Sequence, residues 1–168
     1  MKKTLSLVLG CLIALTAITA VQAEPFYLED AGISIEIPEG MTVEDISSQE
    51  AYALAITVDG DANLKYAFSL NFIDEFEDKY LEDLTQEEND LLMMGLAVAI
   101  PDLQYEAVET EMFNLLVVSS PDGTQLHYIT LLGGWLFDVA VGRGDGPLTD
   151  EDMQAAAQMM MTLGFDEE

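Results

Sequence analysis

The alternation of apolar and polar positions is the clearest signal in this sequence. Apolar residues occupy every second position of residues 135–141, and the same period recurs in residues 64–72. A period of two is typical of strands in a sheet with one buried face. Residues 113–119, 125–132 and 135–141 are separated only by short turns rich in Gly, Pro and Asp. Short turns between successive strands predict an antiparallel meander.

Further strands are predicted on the N-terminal side of this meander. A short strand at residues 26–28 precedes residues 33–37, in which every second residue is Ile. Residues 52–58 and 64–72 alternate on either side of a turn rich in Asp and Gly, a pattern that predicts a hairpin. Residues 104–112 are predicted to form a strand that leads into the meander. We expect the sheet itself to contain about six or seven strands.

The first helix is predicted by a capping box in which Thr85 caps the free amides and Glu88 reaches back. It should run to about Ala99 and end before Pro101. Its apolar face is predicted to consist of Leu91, Leu92, Gly95, Val98 and Ala99.

The second helix has a capping box of its own, formed by Thr149 and Asp152. Gly164 is placed to end it. Its inner face is predicted to consist of Met153, Ala156, Ala157, Met160 and Leu163. The pattern as a whole predicts an α+β domain, with an antiparallel sheet packed by two main helices.

The N-terminus has the three parts of a secretory signal peptide. Lys2 and Lys3 form a positive start, an apolar run follows to Ala20, and Val21 and Ala23 form a cleavage site. Residues 1–23 are therefore predicted to be a signal peptide, and residues 24–168 a single globular domain that is secreted or extracytoplasmic. Two alternatives stay open, an uncleaved membrane anchor and a lipoprotein signal at Cys11.

The charge of the chain restricts its partners. The sequence has 32 Asp and Glu against 5 Lys and Arg, a formal net charge of -27. Cleavage after Ala23 would leave three cations against 32 acids, a difference of −29. Such a surface repels nucleic acid and anionic membranes, and it attracts divalent cations or a basic partner. The same repulsion favours a monomer.

Cysteine chemistry is excluded from the mature domain. Cys11 is the only cysteine, and it lies in the predicted signal peptide. The domain would then have no disulfide, no thiol nucleophile and no thiolate metal ligand.

A family resemblance rests on the segment from Gly32 to Met41, which reads Gly-Ile-Ser-Ile-Glu-Ile-Pro-Glu-Gly-Met. This segment resembles the opening of PsbP-like domains, in which a strand of this kind ends in Pro and a turn. The later order is also similar, with a hairpin, a helix, antiparallel strands and a C-terminal helix. The resemblance implies an α/β/α sandwich and an extracytoplasmic accessory or binding role without catalysis. It implies no site residue.

Two loops carry candidate binding residues. Asp59, Asp61 and Asn63 place oxygen ligands at alternate positions, as calcium loops do. An EF-hand would need Gly at position 64 and Glu at position 70, and Leu occupies both, so a hairpin turn is the favoured interpretation.

Arg143, Gly144 and Asp145 form the tripeptide that integrins recognise in exposed loops. Arg143 is also the only arginine, and we expect it to pair with a neighbouring carboxylate.

Two groups could support catalysis. His127 is the only histidine and lies within a predicted strand, with Ser119 and Ser120 nearby in sequence. The acids of residues 74–88 could pair for glycoside hydrolysis, although Phe76 and Tyr80 are the only aromatic residues beside them. We favour a surface histidine and a solvated acidic face, so no catalytic residue is assigned.

The leading hypothesis is a secreted, non-catalytic binding or accessory domain of the bacterial cell envelope, with a protein or cell-wall partner. No cofactor is expected beyond weak calcium binding. The alternatives are a carboxylate-based hydrolase and a host-adhesion or cation-binding module.

Processing of the chain gives the first testable prediction. The exported protein should begin at Glu24, because Val21 and Ala23 suit signal peptidase. Mass spectrometry of the exported protein measures this directly. An intact Met1 or an acylated Cys11 would contradict the prediction.

Overall fold

The computed structural model describes residues 23–28, 32–48 and 51–165. Apart from Ala23, the predicted signal peptide lies outside these residues. Two helices are present, α1 (Gln86–Ala99) and α2 (Asp150–Met161), together with short 3-10 turns at Asp74–Phe76 and Leu81–Asp83. The strands are β1 (Ala23–Leu28), β2 (Ile33–Pro38), β3 (Met41–Asp45), β4 (Tyr52–Val58), β5 (Asp61–Phe72), β6 (Gln104–Glu109), β7 (Asn114–Ser119), β8 (Gln125–Leu132), β9 (Trp135–Arg143) and β10 (Gly164–Phe165).

The main sheet has seven antiparallel strands in the order β3-β4-β5-β9-β8-β7-β6. The predicted hairpin is β4–β5, and the predicted meander is β7–β8–β9. Pairing of β5 with β9 joins the hairpin to the meander. A smaller sheet has the order β1-β2-β10. The sequence pattern did not reveal β3 or the two-residue β10, because neither carries a run of alternating residues long enough to detect.

The two faces of the main sheet are covered by different layers. One face packs against α2 and β2, and this core includes Ile35, Leu54, Phe68, Tyr128 and Met159. The other face packs against α1 and the 3-10 turns through β7 and β8, and its core includes Phe76, Leu92, Leu116, Ile129 and Leu131. The predicted α+β class and the α/β/α layering of a PsbP-like domain are therefore confirmed.

Helix α2 agrees with its prediction. Thr149 accepts a hydrogen bond from the amide of Asp152, and the predicted inner residues are buried.

Among the described residues, no helix is long and apolar enough to cross a membrane.

Helix α1 forms where it was predicted, but its predicted inner face is wrong in part. Leu92 is 6% exposed, whereas Leu91 is 53% exposed and Val98 is 86% exposed. The buried stripe runs instead through Leu92 and the partly buried Met93 and Leu96 towards Ile100. Residues 91–100 are almost all apolar, so the periodicity could not decide which stripe faces the sheet.

Substitution of two adjacent leucines of α1 tests which of them is buried against the sheet. Leu92→Ala should lower the free energy of unfolding by about 2–5 kcal/mol, because it leaves a cavity under the helix. Leu91→Ala should change it by about 0.5 kcal/mol or less, because Leu91 faces solvent. Urea unfolding of both variants measures the difference. Equal losses would show that the face predicted from the sequence is buried after all.

Candidate functional site

A surface pocket of about 480 Å³ lies at the end of the sheet where the β8–β9 turn is found. We call it the Trp135 pocket. Three of its aromatic side chains are partly open to solvent, with Tyr80 at 47%, Trp135 at 38% and Phe165 at 51% exposure. Its lining residues are Ile33, Tyr52, Leu70, Tyr80, Leu132, Gly133, Trp135, Phe137 and Phe165. Five of these nine residues are aromatic and none is charged. The wall is therefore suited to a ligand group that is apolar or that packs against aromatic rings.

The β8–β9 turn sets the shape of this pocket. Gly134 has φ +89, and a Cβ there would lie 2.9 Å from Cε2 of Phe72 and 3.1 Å from Cα of Glu77. Only glycine allows both the left-handed backbone and the close approach. The amide of Gly134 donates to the carbonyl of Lys79 at 3.1 Å, and the amide of Ile73 donates to the carbonyl of Gly134 at 3.0 Å. The loop that carries Tyr80 is therefore attached to the turn that carries Trp135.

Aromatic contacts fix the rings around the pocket. Phe72 meets Trp135 edge to face, with ring centroids 5.1 Å apart. Phe137 meets Phe165 in the same way at 5.7 Å. Edge-to-face pairs of this kind add stability beyond the area that they bury. The small sheet thus contributes Phe165 to the pocket, and the main sheet contributes Phe137 and Trp135.

An ion pair holds the loop of Tyr80 to α1. Lys79 Nζ donates to Oε1 of Glu88, and the other carboxylate oxygen of Glu88 accepts from the amide and hydroxyl of Thr85. The hydrogen bond from Lys79, with those from Thr85, lowers the pKa of Glu88 from 4.5 to about 2. The capping box that the sequence predicted therefore also positions the rim of the pocket.

The opposite end of β9 carries a cluster of charges around Arg143. In the β5–β9 register, Leu64 lies opposite Arg143 and Phe72 lies opposite Trp135, so the two ends are eight residues or roughly 27 Å apart. The guanidinium donates from Nε and Nη2 to the two oxygens of Asp152, each at 3.0 Å. Nη1 donates to Asp61 at 3.1 Å and to Asp145 at 3.4 Å. The expected pairing of Arg143 with a carboxylate is confirmed.

Asp152 is the buried member of this cluster. Burial opposes ionisation, but hydrogen bonds from Arg143 and Thr149 outweigh it and lower the pKa of Asp152. Asp152 also closes the capping box of α2. The guanidinium therefore balances a buried charge and joins α2 to β9.

The two candidate loops meet at this end of the sheet. The amide of Gly144 donates to the carbonyl of Asn63 at 2.9 Å, and the Asn63 side chain donates to Asp145 at 3.2 Å. Asp59 lies apart from Arg143 and accepts from the hydroxyl of Thr42 at 3.2 Å. Within residues 23–28, 32–48 and 51–165, no group of three or more His, Cys, Asp or Glu is arranged to hold a metal ion. Calcium binding and integrin recognition stay predictions.

His127 lies on the sheet face opposite the main core, where its Nδ1 is 2.9 Å from Oδ2 of Asp138. Ser69 of β5 lies directly opposite Asp138 of β9. Across the three strands the order is therefore Ser, Asp, His, with the carboxylate in the middle. A Ser-His-Asp triad needs the imidazole between the other two groups. The Asp138 carboxylate orients His127, but Ser69 lies on the wrong side of it for activation.

The acids of residues 74–88 are used in several local contacts. Glu82 accepts from Asn114 at 3.3 Å, Asp83 accepts from the amide of Tyr80 at 3.2 Å, and Glu88 pairs with Lys79. These contacts hold the loop in place over β7 and beside the β8–β9 turn.

Sequence reasoning did not find the Trp135 pocket. It placed Trp135 and Phe137 in one strand, but Tyr52, Tyr80 and Phe165 come from segments far apart in the chain. The one available signal was the Gly133-Gly134 pair, since adjacent glycines mark a turn. That signal locates a turn but does not reveal which side chains surround it.

No protein-family model matches this sequence, and no curated protein matches it. The solution structure of cyanobacterial PsbP (CyanoP) from Synechocystis sp. PCC 6803 has a TM-score of 0.59 at 11% identity, over 89% of this chain and 96% of that chain. A crystal structure from Bacteroides thetaiotaomicron has a TM-score of 0.54 at 12% identity. That match covers 88% of this chain and 50% of the other chain, so this chain spans half the length of that protein. The fold is PsbP-like, as the segment around Gly32 predicted.

The ion pair beside the pocket predicts a pH dependence. Because the pKa of Glu88 falls from 4.5 on folding to about 2, its contribution to stability is present above pH 4.5 and is lost as the pH falls towards 2. Glu88→Gln should therefore be less stable than the wild type at pH 7, and the gap should close towards pH 2. Gln can still complete the capping box, so the variant isolates the charge.

The measurement is urea unfolding of the wild type and the variant across this pH range. Glu87→Gln is the matched control, since it removes one carboxylate from the same turn of α1 and leaves the capping box intact. A gap that does not change with pH would show that the pair with Lys79 contributes nothing to stability.

Proposed function

We propose that this chain is a secreted, non-catalytic binding or accessory domain of the bacterial cell envelope. In this proposal the Trp135 pocket holds a group presented by a protein or cell-wall partner. The signal peptide predicted in residues 1–23 supports export, and the net charge of -27 supports a partner that is neither nucleic acid nor an anionic membrane.

The pocket is the observation that carries this proposal. Binding sites are concave and mostly apolar, with a few polar groups that orient the ligand. The wall here has five aromatic side chains, and Tyr52, Tyr80 and Trp135 each add one polar group to an otherwise apolar surface. Exposed aromatic residues of this size cost free energy in water, so their concentration at one point favours a binding role.

The fold and the position of His127 support a role without catalysis. The PsbP-like fold is one for which the resemblance implies an accessory or binding function, although a fold alone does not determine function. His127 and Asp138 lie together on a sheet face that the Trp135 pocket does not include. A pocket whose wall has no carboxylate, histidine, lysine, arginine or cysteine is suited to binding.

A photo-crosslinking experiment in the native host tests the proposal. Benzoylphenylalanine is placed at Tyr80, which lines the pocket, and separately at Tyr27, which is exposed but lies outside it. We expect a specific adduct from position 80 and none from position 27. Adding Trp135→Ala to the position-80 variant should reduce the adduct at least about tenfold, as expected for an aromatic contact at the centre of a site.

Three results would contradict the proposed function. The first is equal adducts at both positions, and the second is no adduct at either. The third is that His127→Ala abolishes the function of the protein in the cell, scored against a strain without the protein, while the fold and the adduct at position 80 are retained. That result would indicate an active site.

A further inference from the structure

The wall of the Trp135 pocket limits the chemistry of its ligand. Charged residues make up 22% of the chain, yet none lines the pocket, and aromatic residues rise from 8% of the chain to five of nine lining residues. Against this wall, a strongly hydrated ion such as a carboxylate, a phosphate or a primary ammonium would lose water without gaining a counter-charge from the lining residues. The ligand group must therefore be weakly hydrated.

The rim of the pocket has the opposite character. The loop that supplies Tyr80 also carries four exposed acids, Asp74, Glu75, Glu77 and Asp78. The backbone of Glu77 lies against the β8–β9 turn, since its Cα would be 3.1 Å from a Cβ on Gly134. Lys79 is the one cation of this loop, and its charge is already paired with Glu88. No cation of this loop is left to compensate the four carboxylates, so their field attracts cations and repels anions.

A weakly hydrated cation satisfies both conditions. We propose that the Trp135 pocket binds a quaternary ammonium group, whose methyl groups contact the aromatic wall while its charge interacts with the ring faces and the acidic rim. Cation–π attraction is strongest for tryptophan and is present for tyrosine and phenylalanine. This inference rests on the proposed function, because it names the group that the same pocket recognises.

The test uses two small molecules of the same shape. Choline carries the quaternary nitrogen. Its analogue 3,3-dimethyl-1-butanol, called dimethylbutanol below, has a carbon atom in place of that nitrogen and has no charge. Trp135 is the only tryptophan, so its fluorescence reports directly on the pocket. In titrations of the purified exported protein, choline should bind at least about tenfold more tightly than dimethylbutanol, the factor that cation–π attraction and the acidic rim supply.

Variants of Tyr80 locate the binding. Tyr80→Ala should weaken choline binding about tenfold, while Tyr80→Phe keeps the ring and should retain most of the affinity. Tyr27→Ala is the matched control and should bind choline as the wild type does, because Tyr27 lies outside the pocket. Tyr80 is substantially exposed, so its replacement leaves both cores intact, and thermal unfolding of each variant checks this.

A further arm identifies the source of the group. Phosphatidylcholine vesicles that bind the protein and are displaced by free choline would indicate a lipid headgroup. Binding of choline without binding of the vesicles would indicate a free solute or a group on another partner. Both outcomes support a quaternary ammonium ligand.

Other outcomes contradict the inference. They also distinguish failure of the ammonium ligand from failure of the proposed function. Equal affinity for choline and dimethylbutanol would show an apolar pocket without preference for a cation. Choline binding that is unchanged in Tyr80→Ala would place the binding elsewhere. No response to either molecule, together with a specific adduct at position 80, would reject the ammonium ligand and retain the binding role. If the adduct is also missing, both proposals fail.

Discussion

The pairing of β5 with β9 is the interaction on which the rest of this structure depends. Nine residue pairs, from Leu64 with Arg143 to Phe72 with Trp135, join the N-terminal hairpin to the C-terminal meander. The two strands also contribute Phe68 and Phe137 to the largest core. Because the pleat has a period of two, a slip of one residue would turn every one of these side chains to the other face. The register therefore determines both the core and what lies at the two ends.

The two ends of this pairing have opposite chemistry. At one end the guanidinium of Arg143 donates hydrogen bonds to three carboxylates, of which Asp152 is buried, so its charge is paired within the domain. At the other end, Trp135 and its aromatic neighbours form a wall that is only partly covered. Charges that are paired within the domain are not available to a ligand, whereas aromatic surface left open is. This contrast is the reason why we propose that a partner group binds at the Trp135 end.

At the Trp135 end, a glycine and an ion pair both position the loop of residues 73–80. Gly134 lets the loop of residues 73–80 approach the β8–β9 turn more closely than any side chain would permit. The pair of Lys79 and Glu88 then fixes the same loop to α1. Tyr80 is held at the rim by these two attachments, so the pocket is formed before a ligand arrives. Preformed sites bind more tightly because less conformational entropy is lost on binding.

The sequence by itself determined the features that depend on neighbours in the chain. Alternation identified the hairpin and the meander, and the capping boxes at Thr85 and Thr149 identified where both helices begin, because strands and caps are built from residues a few positions apart. Tertiary structure alone decided that Leu92 rather than Leu91 faces the sheet, since a helix with apolar residues on all sides has no preferred inner stripe. Tertiary structure also determined which side chains form the Trp135 pocket. Residues as far apart in the sequence as Tyr52 and Phe165 come together only when the two sheets pack against each other.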